Sequence, residues 1–310
     1  MGDYNGDVHP DLVARNLDGS LWLYAGTGRV DATSKGFAGG VKIGNFGWNV
    51  FDTILGVGDF DGDGHPDIVA RKADGTLWLY SGTGTGQTGP SRQIGFGWGI
   101  YGDIVGVGDA NRDGHPDMVG RQPDGSVYFY AGTGTAGGGY LAAPAKIGNF
   151  GWEAFNMLVN VHDFNGDGKN DLVARKPDGT LWFYPGTGSG GYGPATRIGD
   201  FGWDAFDALV GVGDFNGDGK NDLIARKPDG TLWYYQGTGH VDATSEGYTG
   251  TVKIAYFGWS AFDAIVGPGD LNGDGRSDLL ARKPDGTLWS YPGSGLPSEG
   301  YLGRSPAGNF

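Results

Sequence analysis

The stretch GVGDFNGDGKNDLIARKPDGTLWYYQGTG, Gly211–Gly239, decides the fold. It holds a short apolar lead, an acidic loop, an apolar segment ending in Ala-Arg, a Pro-Asp-Gly turn, an aromatic segment and a Gly-rich turn. An Asp-Gly pair between two apolar segments signals a tight β-hairpin, because glycine takes the left-handed conformations such turns need. The phrase returns almost word for word from Asp163 and in looser form four more times. Its acidic loops begin at Asp3, Asp59, Asp109, Asp163, Asp214 and Asp270, a period of 50 to 56 residues. Self-similarity at such a period marks a propeller or a solenoid.

Working outward, the turn pair recurs at Asp18-Gly19, Asp74-Gly75, Asp178-Gly179, Asp229-Gly230 and Asp285-Gly286. Each period supplies four short strand-like segments and no helical pattern, which excludes α/β folds. Four antiparallel strands per repeat make one propeller blade. The expected fold is therefore all-β: a single β-propeller domain over residues 1–310, with four-stranded antiparallel blades, six in number. A seventh blade would need a longer chain. The FGW segments that lead into a blade's first strand begin at Phe46, Phe96, Phe150, Phe201 and Phe257, with no copy before Asp3 or after Phe310. One innermost strand is thus expected to be missing at the ring closure.

Composition agrees with this architecture. Glycine is 65 of 310 residues, against a usual share of about 7%. Aromatics nevertheless reach 13%, including ten Trp, which a disordered Gly-rich chain would lack. There is no Cys, so disulfides, thiolate metal sites and Cys nucleophiles are excluded. No apolar run reaches the roughly 18 residues that read as a membrane-spanning helix, so no membrane insertion is expected. A net charge of −14 argues against nucleic acid, whose phosphates are bound by Lys and Arg.

Much of that negative charge sits in the repeated loops. Ca²⁺ takes six to eight oxygen ligands, and a tight Gly-bearing loop with Asp or Asn at positions 1, 3 and 5 offers them. The side chains in those positions are Asp3, Asn5 and Asp7; Asp59, Asp61 and Asp63; Asp109, Asn111 and Asp113; Asp163, Asn165 and Asp167; Asp214, Asn216 and Asp218; and Asp270, Asn272 and Asp274. Position 7 would give a backbone carbonyl, from His9, His65, His115, Lys169, Lys220 and Arg276. Position 9 would close each site with Asp11, Asp67, Asp117, Asp171, Asp222 and Asp278. The loops join strands, unlike an EF-hand, which joins helices and closes with Glu. Up to six Ca²⁺ would take the net charge from −14 to about −2. The competing reading is a hairpin cap made of Asx turns. Val8 replaces glycine at position 6 of the first loop and Arg112 replaces it at position 4 of the third, so weaker binding is expected there.

With these residues laid out, GVGDFNGDGKNDLIAR resembles the FG-GAP/VCBS repeat, the calcium-loop blade also found in integrin α-subunit propellers. The variant carrying ARKPDGTLW and FGW is similar to repeat regions of secreted actinobacterial proteins. The resemblance covers essentially the whole chain. It implies a propeller with calcium loops between the first and second strands of each blade, an extracellular setting, and a role in binding or adhesion.

Catalytic signals are sparse. None of the five His pairs with a repeated Ser or acid, and neither HExxH nor GxSxG occurs. The chain reads as a binding protein; a polysaccharide lyase or hydrolase is the weaker alternative. The candidate ligand site is the linker between blades, which pairs a Trp with an acid or amide: Trp48 with Asp52, Trp152 with Asn156, Trp203 with Asp207 and Trp259 with Asp263. Trp98 belongs to the set, although its literal partner position is Gly102 and Asp103 lies one further on. An indole face stacks on a sugar ring and a carboxylate accepts hydroxyl hydrogens. The expected partner is a glycan or cell-surface polysaccharide, and a protein partner or parent chain is the alternative. The competing reading makes this Trp a wedge between blades, as repeated residues in repeat proteins often are. The aromatic-strand residues Trp22, Trp78, Trp182, Trp233 and Trp289, with Tyr128, are read as blade packing.

Overall fold

The computed structural model describes residues 2–30, 35–135, 139–149, 151–242, 244–295 and 305–309. Phe150 and Phe310, named above, lie outside them. Among the described residues there are five four-stranded antiparallel sheets, one three-stranded sheet and a two-stranded hairpin. The chain is a six-bladed β-propeller, all-β apart from one-turn 3-10 helices. Chain order is spatial order within every four-stranded blade, so each is a simple meander. The fifth blade is representative, with strands Ala208–Gly213, Asp222–Arg226, Leu232–Val241 and Glu246–Ala255. The first blade has three strands, Leu12–Arg15, Leu21–Tyr24 and Val41–Gly44. The sixth ends with Ser305–Asn309 as its fourth strand.

The chain divides into two compact units. Met1–Gly26, Ala38–Glu153 and Thr187–Gly191 form one, and it holds the first three blades. Thr27–Phe37, Ala154–Gly186 and Tyr192–Phe310 form the other, which holds the last three.

Within each unit the core lies between neighbouring blades. Both faces of the middle strands are therefore apolar, as a sheet covered on both sides requires. In the second unit, Val161, Phe164, Val173, Leu181 and Phe183 of the fourth blade pack with Leu223, Ala225 and Tyr235 of the fifth. Val212, Phe215, Ile224 and Tyr234 of the fifth pack in turn with Leu279, Ala281 and Tyr291 of the sixth. The first unit repeats this with Leu21, Leu23, Ile43, Ile68 and Ala70.

Two features of the repeat have a steric cause. The first strand of each complete blade carries a bulge just before the acidic loop, seen as a register shift between Gly211 and Gly213 in the fifth. The bulged residue has positive φ and is glycine in four blades (Gly58, Gly108, Gly213 and Gly269) but His162 in the fourth, at φ 57°. The glycine two residues earlier lets adjacent first strands come close: a Cβ on Gly211 would stand 2.1 Å from the Asn160 carbonyl oxygen. The equivalent Gly106 has room, its nearest neighbour being 3.5 Å away.

Gly211→Ala is therefore expected to destabilise the protein by about 1–3 kcal/mol in urea unfolding, with Gly106→Ala within about 0.5 kcal/mol of the parent. Equal effects of the two substitutions would contradict this account of strand approach.

Candidate metal loops and linker site

Each acidic loop is organised around its ninth residue. Asp67 is fully buried and both of its oxygens are engaged. Oδ2 accepts the N–H groups of Phe60 (2.8 Å) and Asp61 (3.1 Å), and Oδ1 accepts that of Gly82 (2.8 Å), fifteen residues on at the end of the third strand. The pattern recurs with Asp11 and Gly26, Asp117 and Gly132, Asp171 and Gly186, Asp222 and Gly237, and Asp278 and Gly293. Burial pushes these carboxyls up, to about 7 for Asp67, Asp222 and Asp278 and about 6 for Asp117 and Asp171; the backbone N–H donors oppose the shift. Asp11 is raised for the same reason. The ninth position thus ties the loop to its own sheet, a role the sequence reading had not given it.

The first position nests the loop's N–H groups. Asp59 accepts from Gly62 (2.8 Å) and Gly64 (2.9 Å), and Asp3, Asp214 and Asp270 do likewise at their own positions 4 and 6. Asp109 takes N–H donors at positions 5 and 6, from Asp113 and Gly114. Asn5, Asn111, Asn165, Asn216 and Asn272 accept the N–H of position 5, as Asp61 does. Asp7, Asp63, Asp113, Asp167, Asp218 and Asp274 accept the N–H of position 7, which belongs to His9, His65, His115, Lys169, Lys220 or Arg276.

Two observations test whether a hard divalent cation fits. In the second loop Asp59, Asp61 and Asp67 each bring an oxygen within 4.8 Å of the others. Ligands at 2.3–2.6 Å from one ion lie at most about 5 Å apart, so the three carboxylates suit Ca²⁺. In the fourth loop Asp163 Oδ1 is buried with no hydrogen-bond donor, an orphaned acceptor that a cation would satisfy. The loops are not equivalent at position 5. Lys169 reaches Asp167 (2.9 Å), Arg276 reaches Asp274 (3.0 Å) and Gln236 reaches Asp218 (2.8 Å). These side chains compete there with a metal.

Val8 and Arg112 hold the left-handed backbone of the glycines they replace, at φ 71° and 65°. The loop shape is thus kept against local strain, which is greatest for β-branched Val8.

The linkers differ from expectation. Each FGW triplet turns through a left-handed glycine (Gly47, Gly97, Gly202, Gly258) that precedes a one-turn 3-10 helix. This reversal sends the Trp inward and the Phe outward. Trp48, Trp98, Trp203 and Trp259 are buried, 2–7% exposed, against Phe51, Tyr101, Phe206 and Phe262 and against Tyr80, Tyr130, Tyr235 and Tyr291 at 4.4–4.6 Å. Trp152 is half-buried. The four buried indoles are wedges between blades and offer no open face for a sugar, so the expected stacking role is corrected for Trp48, Trp98, Trp203 and Trp259.

Their supposed polar partners are occupied as well. Asp52, Asp103, Asn156, Asp207 and Asp263 accept from the Ala-Arg guanidinium groups of Arg71, Arg121, Arg175, Arg226 and Arg282. Asp103, not Gly102, supplies the carboxylate in the third blade. The same arginines reach on to the next linker: Arg71 donates to the carbonyls of Trp98 (3.3 Å) and Tyr101 (2.6 Å).

What the sequence reading missed is the Phe of the triplet. Phe46, Phe96, Phe201 and Phe257 are 73–83% exposed. A cation from the last strand of the blade caps two of them, Lys42 on Phe46 at 4.9 Å and Arg197 on Phe201 at 5.3 Å. The signal was present in the triplet itself, since a left-handed glycine between two aromatics sends them to opposite sides. Of the aromatic-strand residues, Trp78, Trp233, Trp289 and Tyr128 are half-buried and pack against the clusters between blades, as read from the sequence. Nε1 of Trp78 donates to Thr76 Oγ1 (2.9 Å), and Lys72 lies 4.1 Å from its ring centre. A cleft of about 560 Å³ opens beside Trp259, and Tyr256, Phe257, Phe262, Tyr291 and Lys283 also line it.

The FG-GAP-like repeat family model matches residues 3–70, 59–120, 163–225 and 214–281, more than half of the chain. The chain belongs to the FG-GAP-like repeat family. Among solved structures, this FG-GAP-like chain is similar to a lectin of Agrocybe aegerita, described for specific recognition of non-reducing terminal N-acetylglucosamine. The TM-score is 0.61 at 18% identity, over 99% of this chain and 79% of the other. It is similar to the BP39L lectin of Burkholderia pseudomallei, with a TM-score of 0.60 at 14% identity over 100% and 95%. It also matches part of a Photorhabdus luminescens Tc holotoxin chain, with a TM-score of 0.61 at 17% identity, over 97% of this chain and 14% of that one. At these identities the likeness concerns the fold.

Val8→Gly and Arg112→Gly should each raise unfolding stability, by about 1 kcal/mol in denaturant titration, because they relieve left-handed strain. A loss of stability in both would mean that these side chains make contacts worth more than the strain.

Proposed function

We propose that this protein is an extracellular, calcium-stabilised glycan-binding propeller of the lectin type. The observation that carries the reading is the outward Phe of the linker, repeated in four described linkers and joined in the last by an aromatic cleft. Single exposed apolar side chains are ordinary, but a phenyl ring exposed at the same place in four linkers offers a repeated face that suits the C–H face of a pyranose. Repetition would give avidity for a polymeric glycan. That two structural neighbours are lectins supports the reading. The role is binding rather than catalysis, because the carboxylates of the loops and linkers are committed to backbone N–H groups and to arginines. A targeting module within a larger secreted protein is the second reading, favoured by the match to 14% of a toxin chain.

In this reading the acidic loops hold Ca²⁺ through positions 1 and 3 with the ninth Asp, as in Asp59, Asp61 and Asp67. The ion would neutralise carboxylates that otherwise repel one another and would lock each loop in place.

Two outcomes are expected. Chelation followed by desalting should lower the melting temperature, and added Ca²⁺ should restore it. Each filled loop would contribute about 2.7 kcal/mol at a hundredfold excess over Kd. An unchanged melt after verified metal removal would sink the calcium assignment. On a glycan array run in Ca²⁺, the intact protein should bind a set of related sugars. Replacing Phe46, Phe96, Phe201 and Phe257 by Ala should abolish the signal without lowering the melting temperature, since these rings are exposed. Undiminished binding by that variant would remove the Phe site; no glycan signal together with a stably co-purifying protein would favour the targeting module.

A further inference from the structure

The linker beside the Trp259 cleft departs in sequence from the matching places in the other linkers. At the end of their last strand the first four blades carry glycine: Gly44, Gly95, Gly148 and Gly199. A Cβ there would stand 2.3–2.6 Å from Nε1 of Trp48, Trp98, Trp152 or Trp203. Glycine therefore lets the indole close down on the strand. The fifth blade has Ala255 in this register, opposite Leu232 as Gly199 is opposite Leu181. Its methyl group takes the space that the indole nitrogen fills elsewhere, so strand and ring must stand further apart. The cleft opens at this point, with Ala255 and Trp259 among its lining residues.

The next residue changes too. Tyr256 stands where Asn45, Asn149 and Asp200 precede the Phe of their linkers, and the second linker has no residue there. Tyr256 and Phe257 are 75% and 83% exposed and form one lip. No acidic side chain is among the residues lining the cleft, and the single charged one is Lys283. Its ammonium is held 5.0 Å from the Trp289 ring centre. A second ammonium, Lys253, lies 5.4 Å from the Tyr256 ring centre. Aromatic walls suit the apolar face of a pyranose. Ammonium groups donate and never accept, so they are poor partners for hydroxyl hydrogens and strong ones for an anion.

Building on the glycan-binding reading, we propose that the cleft formed by Ala255, Tyr256, Phe257, Trp259 and Lys283 takes an acidic sugar residue, carboxylated or sulfated. The sugar ring rests on the aromatic lip and its anion meets Lys283. The alanine-for-glycine exchange makes the pocket, and the lysine sets its charge preference.

The test titrates the intact protein calorimetrically with four oligosaccharides of equal length: an oligogalacturonate, its methyl ester, a sulfated galactan and the unsulfated galactan. An acidic member should bind at least tenfold tighter than its neutral counterpart. Comparison of the uronate and sulfate arms identifies which anion is preferred. Lys283→Gln should erase that preference while leaving the melting temperature unchanged, and Ala255→Gly should weaken the acidic ligand by letting Trp259 close on the strand. Equal binding of charged and neutral partners, or a preference that survives Lys283→Gln, would overturn the acidic-sugar assignment and leave the lectin reading standing. Absence of binding by all four would likewise overturn the acidic-sugar assignment, while the lectin reading falls only with a blank glycan array.

Discussion

A buried carboxylate that accepts two or three backbone N–H groups is the interaction on which each blade depends. The loop is too rich in glycine to hold a shape by itself, because glycine gives up the most conformational freedom on ordering. The ninth Asp removes that freedom from two directions. One oxygen takes the N–H of loop position 2, and in the first four loops that of position 3 as well, and the other takes an N–H fifteen residues on. The residue at position 2 is then fixed in place, and its side chain goes into the core: Tyr4, Phe60, Phe164, Phe215 and Leu271 are all buried. Loop geometry, sheet pairing and packing thus pass through one side chain per blade. Burial of so many carboxyls is costly without hydrogen bonds, and the N–H donors offset part of that cost.

The arginine of the Ala-Arg pair does for neighbouring blades what this aspartate does within a blade. Its guanidinium takes the carboxylate or amide that opens its own blade's first strand and two carbonyls of the following linker. A planar fork with five donors holds several acceptors in fixed directions, a rigidity that a lysine's rotatable ammonium lacks. The linker's left-handed glycine, its 3-10 turn and its buried indole are held from behind by this contact. That is why the linkers keep one geometry although their loops vary.

Much of this was legible in the sequence. The Asp-Gly turns, the apolar segments and the period defined blade order and strand pairing, because hairpin chemistry is local. The positive φ required at Val8 and Arg112 was legible too, since glycine stands there in the other loops. Direction was not. Trp203 and Phe201 are two residues apart, and spacing alone does not say which is buried; that depends on φ at Gly202. Nor does a list of acids say which are already bonded. Asp207 and Asp222 look alike as letters, yet one is paired with Arg226 and the other is sealed beneath a loop. The steric meaning of Ala255 emerged only once the indole was placed over the equivalent glycines.

The second strand of each blade has a further electrical consequence. In the fifth blade it starts at Asp222, under the acidic loop, and ends at Arg226, next to Lys227 and the aromatic face. Five residues of extended chain span roughly 17 Å. That is about twice the Debye length at physiological ionic strength. The two ends of a blade are therefore screened from one another, and a change of charge in the loops is hardly felt at the lysines. On the proposed reading, ion content and surface recognition would be independently adjustable variables, joined through mechanical stiffness rather than through the field.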